Sequence, residues 1–122
     1  MQDATERPFQ VPAGAIAVVF VSMRTPDHGA EYAAAAESMA DRASRQPGYI
    51  GIDSARGEDG FGITVSYWRT EQDAVAWRSD AEHTLIRNRG RAGWYEWYSL
   101  HVAKLERSYI WRRGEQEPPR VP

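Results

Sequence analysis

The stretch Ala15–Arg24, AIAVVFVSMR, restricts the fold more than any other part of the chain. It is rich in β-branched and aromatic residues and has the length of a strand, so it predicts a β-strand. Its apolar residues are consecutive where a half-exposed strand would alternate. Successive side chains of a strand point to opposite faces. Ile16, Val18 and Phe20 therefore face one way and Val19, Val21 and Met23 the other. Both faces of this strand must be covered. Phe61–Trp68, FGITVSYW, predicts a strand with the same property: Phe61, Ile63, Val65 and Tyr67 oppose Trp68.

Between these two strands the punctuation is clear. Pro26, Asp27 and Gly29 end the first strand. Glu31–Ser44 is Ala-rich, acidic at its start and followed by Arg42 and Arg45 near its end, the polarity a helix dipole favours. Tyr32, Ala36, Met39 and Ala43 fall on one stripe of that helix. Pro47-Gly48 stops it. Tyr49–Glu58 predicts a second strand, and Glu58-Asp59-Gly60 carries a hairpin turn signal.

After the third strand, Thr70 is placed to cap a helix from Glu71 to about Arg78, with Asp73 at the reciprocal position of a capping box. Ser79-Asp80 reads as the cap of a further helical segment, Ala81–Arg91, ended by Gly90 and Gly93. The last element, Trp94–Trp111, reads as a long strand. Its apolar parity changes between Val102 and Leu105, which predicts a bulge there. Residues 1–13, with Pro8 and Pro12, read as an irregular arm, residues 14–111 as a single domain, and residues 112–122 as a solvated tail.

The element order β-α-β-β-α-β defines an α+β, ferredoxin-like fold. Helices in that order cover one face of a four-stranded sheet. The other face of Ala15–Arg24 still needs a cover, and a second copy of the sheet is the simplest one. A two-fold homodimer is therefore expected.

Composition narrows the function. The 122 residues carry a net charge of −2, so no overall field draws the protein to nucleic acid or to an anionic membrane. The sequence has no cysteine, which removes disulfides, thiolate catalysis and Cys-ligated metal centres together. No apolar run reaches the roughly 18–20 residues needed to span a bilayer. Met1–Pro12 does not read as a signal peptide. The cytoplasm is the expected location. His28, His83 and His101 are widely spaced and form no metal-binding step, and no phosphate loop, dinucleotide fingerprint or nucleophile elbow is present.

One segment carries a resemblance. SYWRTEQDAVAWRSDAEH, then GRAGWYEWY and a long terminal strand, resembles the antibiotic biosynthesis monooxygenase family. The matching features are a strand ending in Trp68, the capped acidic helix start Thr70-Glu71, Trp77 within that helix, and the step Asp80-Ala81-Glu82-His83. The element order extends the likeness over residues 14–111. It implies a dimeric α+β barrel with a pocket in each subunit between sheet and helices.

Among its members are cofactor-independent oxygenases of aromatic polyketides or quinols. On that reading the protein is a monooxygenase of a small phenolic, quinol or polyketide-like compound and needs no cofactor. Two alternatives stand beside it: a non-catalytic dimeric binding protein, and a haem-degrading monooxygenase. The haem degraders carry an axial His later in the second helix, a position that here falls at Ile86 or Arg87. The oxygenases often carry an Asn four residues before the strand Trp, and here Thr64 stands there.

The candidate site follows. Trp68 and Trp77 can stack on a planar ligand or simply fill the core. Thr64 shares a strand face with Trp68. His83 can take a proton from a phenol or enol near neutral pH, or bond within its helix or at the dimer seam. His101 lies on the last strand, where it could face the barrel. Arg87–Arg91 reads as solvated surface at a helix end or as an anion contact, and WYEWY, Trp94–Tyr98, as a dimer contact or pocket mouth.

Overall fold

The computed structural model describes residues 7–81 and 93–114. Its elements are β1 (Ile16–Arg24), α1 (Gly29–Ser44), β2 (Tyr49–Arg56), β3 (Phe61–Trp68), α2 (Glu71–Ala81) and β4 (Tyr95–Lys104). The sheet order is β2-β3-β1-β4 and every pairing is antiparallel, which is the ferredoxin-like α+β arrangement.

Register shows why β1 is apolar on both sides. It pairs with β3 from Ile16↔Trp68 to Met23↔Phe61 and with β4 from Ile16↔Lys104 to Arg24↔Tyr95. Its helix-side residues, Ile16 and Val18, join Ala43, Trp68, Ala74, Trp77 and Ala81 in the core. The opposite face carries Val19, Val21 and Met23 in register with Val65, Ile63 and Phe61. On that face Phe61 is 39% exposed, Ile63 40% and Trp97 46%.

Local chemistry positions the helices. Thr70 Oγ1 accepts the Asp73 backbone N–H at 3.1 Å while its hydroxyl donates to the Asp73 carboxylate at 2.8 Å, so the expected cap is formed. α1 begins two residues earlier than expected, behind His28 in the left-handed conformation at φ 60°. Arg24 holds this β1–α1 turn by donating to the carbonyls of Thr25 at 2.6 Å and Asp27 at 3.1 Å. The hairpin turn places Gly60 at φ +97°, where a side chain is disfavoured.

Three expectations are corrected. Ser79-Asp80 does not start a new helix, because α2 continues through Ala81. The Asp80 carboxylate accepts from Arg42 Nη2 of α1 at 2.7 Å. β4 stops at Lys104, opposite the first residue of β1. Leu105 still exchanges bonds with Gly14 and Ala15 at 2.7 and 2.8 Å, and beyond it no strand among the described residues lies alongside. The register shift falls at the other end of β4, where Trp97 and Tyr95 pair with Met23 and Arg24 and Glu96 is the extra residue.

Residues 7–12 have no helix or strand, yet Phe9 anchors them to the sheet. Phe9 is buried, its ring centroid lies 6.1 Å from that of Tyr67, and a Cβ at Gly51 would fall 2.6 Å from its ring. Gly51 is thus what lets Phe9 reach the sheet. Arg7 reaches Asp53 at 3.1 Å. Gly51 and Asp53 pair with Tyr67 and Val65, so these contacts cover the β2–β3 end of the helix-free face.

Candidate ligand pocket

A pocket of about 230 Å³ lies between the helix side of the sheet and the two helices. Val18, Phe20, Ile52 and Leu100 form its floor, and Ala36, Met39 and Ala40 of α1 its roof. Small alanines on the α1 stripe leave the space that larger residues would fill. The polar groups along it are few: Ser54, Thr64 and Ser66 on the floor, Arg78 on α2, and the phenols Tyr32 and Tyr95.

Thr64 and Trp77 both line this pocket. Thr64 Oγ1 shares a 2.7 Å hydrogen bond with Ser54 Oγ across β2–β3. Trp68, expected at the wall, stands behind it with 0% exposure. Its indole N–H donates to Ser66 Oγ at 2.9 Å, and its ring stacks on Trp77 at 5.8 Å with a 26° interplanar angle. Trp68 therefore supports Trp77 from behind, and its donor is already satisfied by the protein.

His83, Ile86 and the Arg87–Arg91 run lie outside the described residues. His101 pairs with Val19, so it sits on the helix-free face, exposed, and away from the pocket. His28 precedes α1 and lies 3.7 Å from Glu31. Among the described residues no group of three or more His, Asp or Glu is placed to hold a metal ion, and no helix is long and apolar enough to cross a membrane.

The residues that the sequence reading passed over are Tyr32, Tyr95, Arg56 and Arg24. In the sequence Tyr32 stands out only as part of the α1 stripe and Tyr95 only as part of WYEWY. Strand parity could have found Arg56: it shares a face with Ile52 and Ser54, and a lone Arg on a core-facing row calls for an explanation.

Burial pushes the Tyr95 hydroxyl well above its ordinary value of 10.0, and its hydrogen bond to Tyr32 adds to the rise. Burial also raises Tyr67, with help from the neighbouring Asp53 carboxylate. For a phenol, a raised folded value means that the native state holds its proton longer than the unfolded chain does. The stabilisation is complete below the unfolded value near 10 and is lost as pH rises from there through the folded value. Unfolding midpoints measured from pH 8 to pH 11 should therefore fall above about pH 10, and Tyr95→Phe should flatten that fall. An unchanged slope in Tyr95→Phe would show that Tyr95 ionises freely.

Fold and site together define a class: a small ferredoxin-like sheet that holds an apolar pocket under its helices and leaves its other face greasy. The model of the family described as antibiotic biosynthesis monooxygenase matches residues 15–89. A Bacillus subtilis protein, YqjZ, is 38% identical over 101 residues, covering 83% of this chain and 88% of its own length. The jasmonate monooxygenase of Pyricularia oryzae is 29% identical over 96 residues, covering 75% of this chain and 44% of its own length.

Among solved structures, SnoaB, a cofactor-independent oxygenase from Streptomyces nogalater, superposes with a TM-score of 0.63 at 16% identity, covering 79% of this chain and 97% of its own. The chain belongs to the antibiotic biosynthesis monooxygenase family.

Proposed function

We propose that the protein is a cofactor-independent monooxygenase of a small, largely apolar aromatic compound, phenolic, quinol-like or polyketide-like, and that it works as a homodimer joined through the helix-free face. The observation that carries this reading is the pocket of about 230 Å³, apolar on floor and roof with a few hydroxyls between. A space of that kind suits a planar organic molecule and limits the water around it. The activities of SnoaB, a cofactor-independent oxygenase, and of the jasmonate monooxygenase support the reaction type.

The chemistry asked of the protein is modest. An electron-rich substrate anion reduces dioxygen itself. For an anthrone, one oxygen atom enters the ring as the new carbonyl and the other leaves as water, so anthrone plus O₂ gives anthraquinone plus H₂O. The protein removes a proton, holds the ring and keeps bulk water away. In this scheme Trp77 and Thr64 contact the substrate, Trp68 braces Trp77, and His83 is the base.

Purified protein should consume oxygen with an anthrone or an electron-rich hydroquinone, at a rate above buffer. Saturable binding of such compounds without turnover would favour a carrier or sensor that uses the same pocket. Binding itself is checked at Ala40, which lines the pocket from an exposed position on α1. Ala40→Trp should block the space and weaken ligand binding by about tenfold or more with little change in stability. Equal affinity in Ala40→Trp, measured by titration calorimetry, would move the ligand elsewhere.

A further inference from the structure

One end of the pocket is electrically different from the rest. Tyr32 and Tyr95 both line it, and their hydroxyls lie 3.4 Å apart with Tyr95 donating to Tyr32. Arg56 Nη2 also donates to the Tyr32 oxygen, at 3.1 Å. That oxygen thus receives two hydrogen bonds, which leaves its own O–H proton to be given away. Among the described residues no acceptor for that proton is found.

The charge around it is one-sided. The Arg24 guanidinium lies 4.0 Å from the centroid of the Tyr32 ring and that of Arg56 lies 5.5 Å from it. Neither guanidinium forms an ion pair with a carboxylate among the described residues. Arg24 spends its terminal nitrogens on backbone carbonyls, and its buried Nε has no partner there. The neighbouring acid, Glu31, accepts the Trp94 indole N–H at 3.4 Å and lies 3.7 Å from His28. Arg56 is fixed in place by Ser22 Oγ at 2.8 Å, a side chain with 0% exposure. A hydroxyl donor on the pocket wall, backed by two positive charges and held by groups that need not move, favours an anion.

We infer that this end of the pocket is a subsite for one ionised oxygen of the ligand, received by the Tyr32 hydroxyl and balanced by Arg56 and Arg24. The inference rests on the pocket reading above and narrows its ligand to a planar apolar body that carries an enolate, phenolate or carboxylate oxygen. Tyr32 is then a specificity residue: it selects the anion over a neutral compound of the same shape. The rings of Phe20 and Tyr95, edge-to-face at 5.5 Å, lie beside the subsite on the apolar side, where the body of such a ligand would rest.

Two isosteric probes test this, 2-naphthoate and the neutral 2-naphthamide, titrated calorimetrically into the full-length protein. The wild type should bind the acid about tenfold more tightly than the amide. Tyr32→Phe keeps the ring and its packing, and should bring the ratio close to one mainly by weakening the acid. Arg56→Met should do the same, and circular dichroism confirms that each variant is folded. Equal affinity of the two probes in the wild type overturns the subsite but leaves the pocket standing. A preference that survives both substitutions also overturns it. Failure of both probes to bind at millimolar concentration removes the pocket reading, and the subsite with it.

Discussion

Trp68→Ala should lower the free energy of unfolding by about 3–5 kcal/mol, the range for deleting a large aromatic side chain from a packed core. Trp68 is the largest fully buried side chain described, at 0% exposure. Its ring is stacked on Trp77 and meets Tyr49 edge-on at 5.7 Å. Truncation empties the space between β3 and α2 and leaves Ser66 without its indole donor.

Trp68→Phe keeps most of the ring and loses that hydrogen bond, so about 1–2 kcal/mol is expected. Urea unfolding followed by far-ultraviolet circular dichroism measures both. Ligand affinity should change little in Trp68→Phe, because the indole N–H is already used inside the protein. A loss under about 1 kcal/mol for Trp68→Ala, together with a large fall in affinity, would put the ring on the pocket wall after all.

Ile63→Lys should split the proposed dimer. Ile63 pairs with Val21 on the helix-free face and is 40% exposed in the isolated subunit, so a lysine there costs the monomer little. At a seam formed by two such sheets, the same ammonium would be taken from water without a partner. The dissociation constant should rise by about a hundredfold or more, within the range for a central interface residue. Sedimentation velocity should show two subunits for the wild type at micromolar concentration and one for Ile63→Lys. A wild type that sediments as one subunit would leave Phe61, Ile63 and Trp97 without the cover proposed for them.

The elements themselves were legible because their causes are local. Thr70 and Asp73 are three residues apart, and their cap forms from those residues alone. The hairpin is closed within Gly57–Phe61, at 2.8 Å from the Gly57 N–H to the Phe61 carbonyl. The errors arose where a distant partner decided the outcome. Ser79-Asp80 has the look of a helix start, yet α2 runs through it and Asp80 pairs with Arg42, 38 residues away. β4 looked longer than it is because the length of a strand depends on its neighbour, and β1 runs out opposite Lys104. The burial of Phe9, within the irregular arm, likewise depends on a distant residue, the missing side chain at Gly51.

Sequence alone determined the order of strands and helices and the presence of a sheet with two apolar sides. These follow from period, capping and turn chemistry, which act between residues near each other in the chain. Only the tertiary structure decided which aromatic rings border the pocket and which stand behind it, and that Tyr32, Tyr95, Arg24 and Arg56 meet at one end. A pocket is the volume left over when non-adjacent surfaces pack, and no local pattern in a chain encodes that remainder.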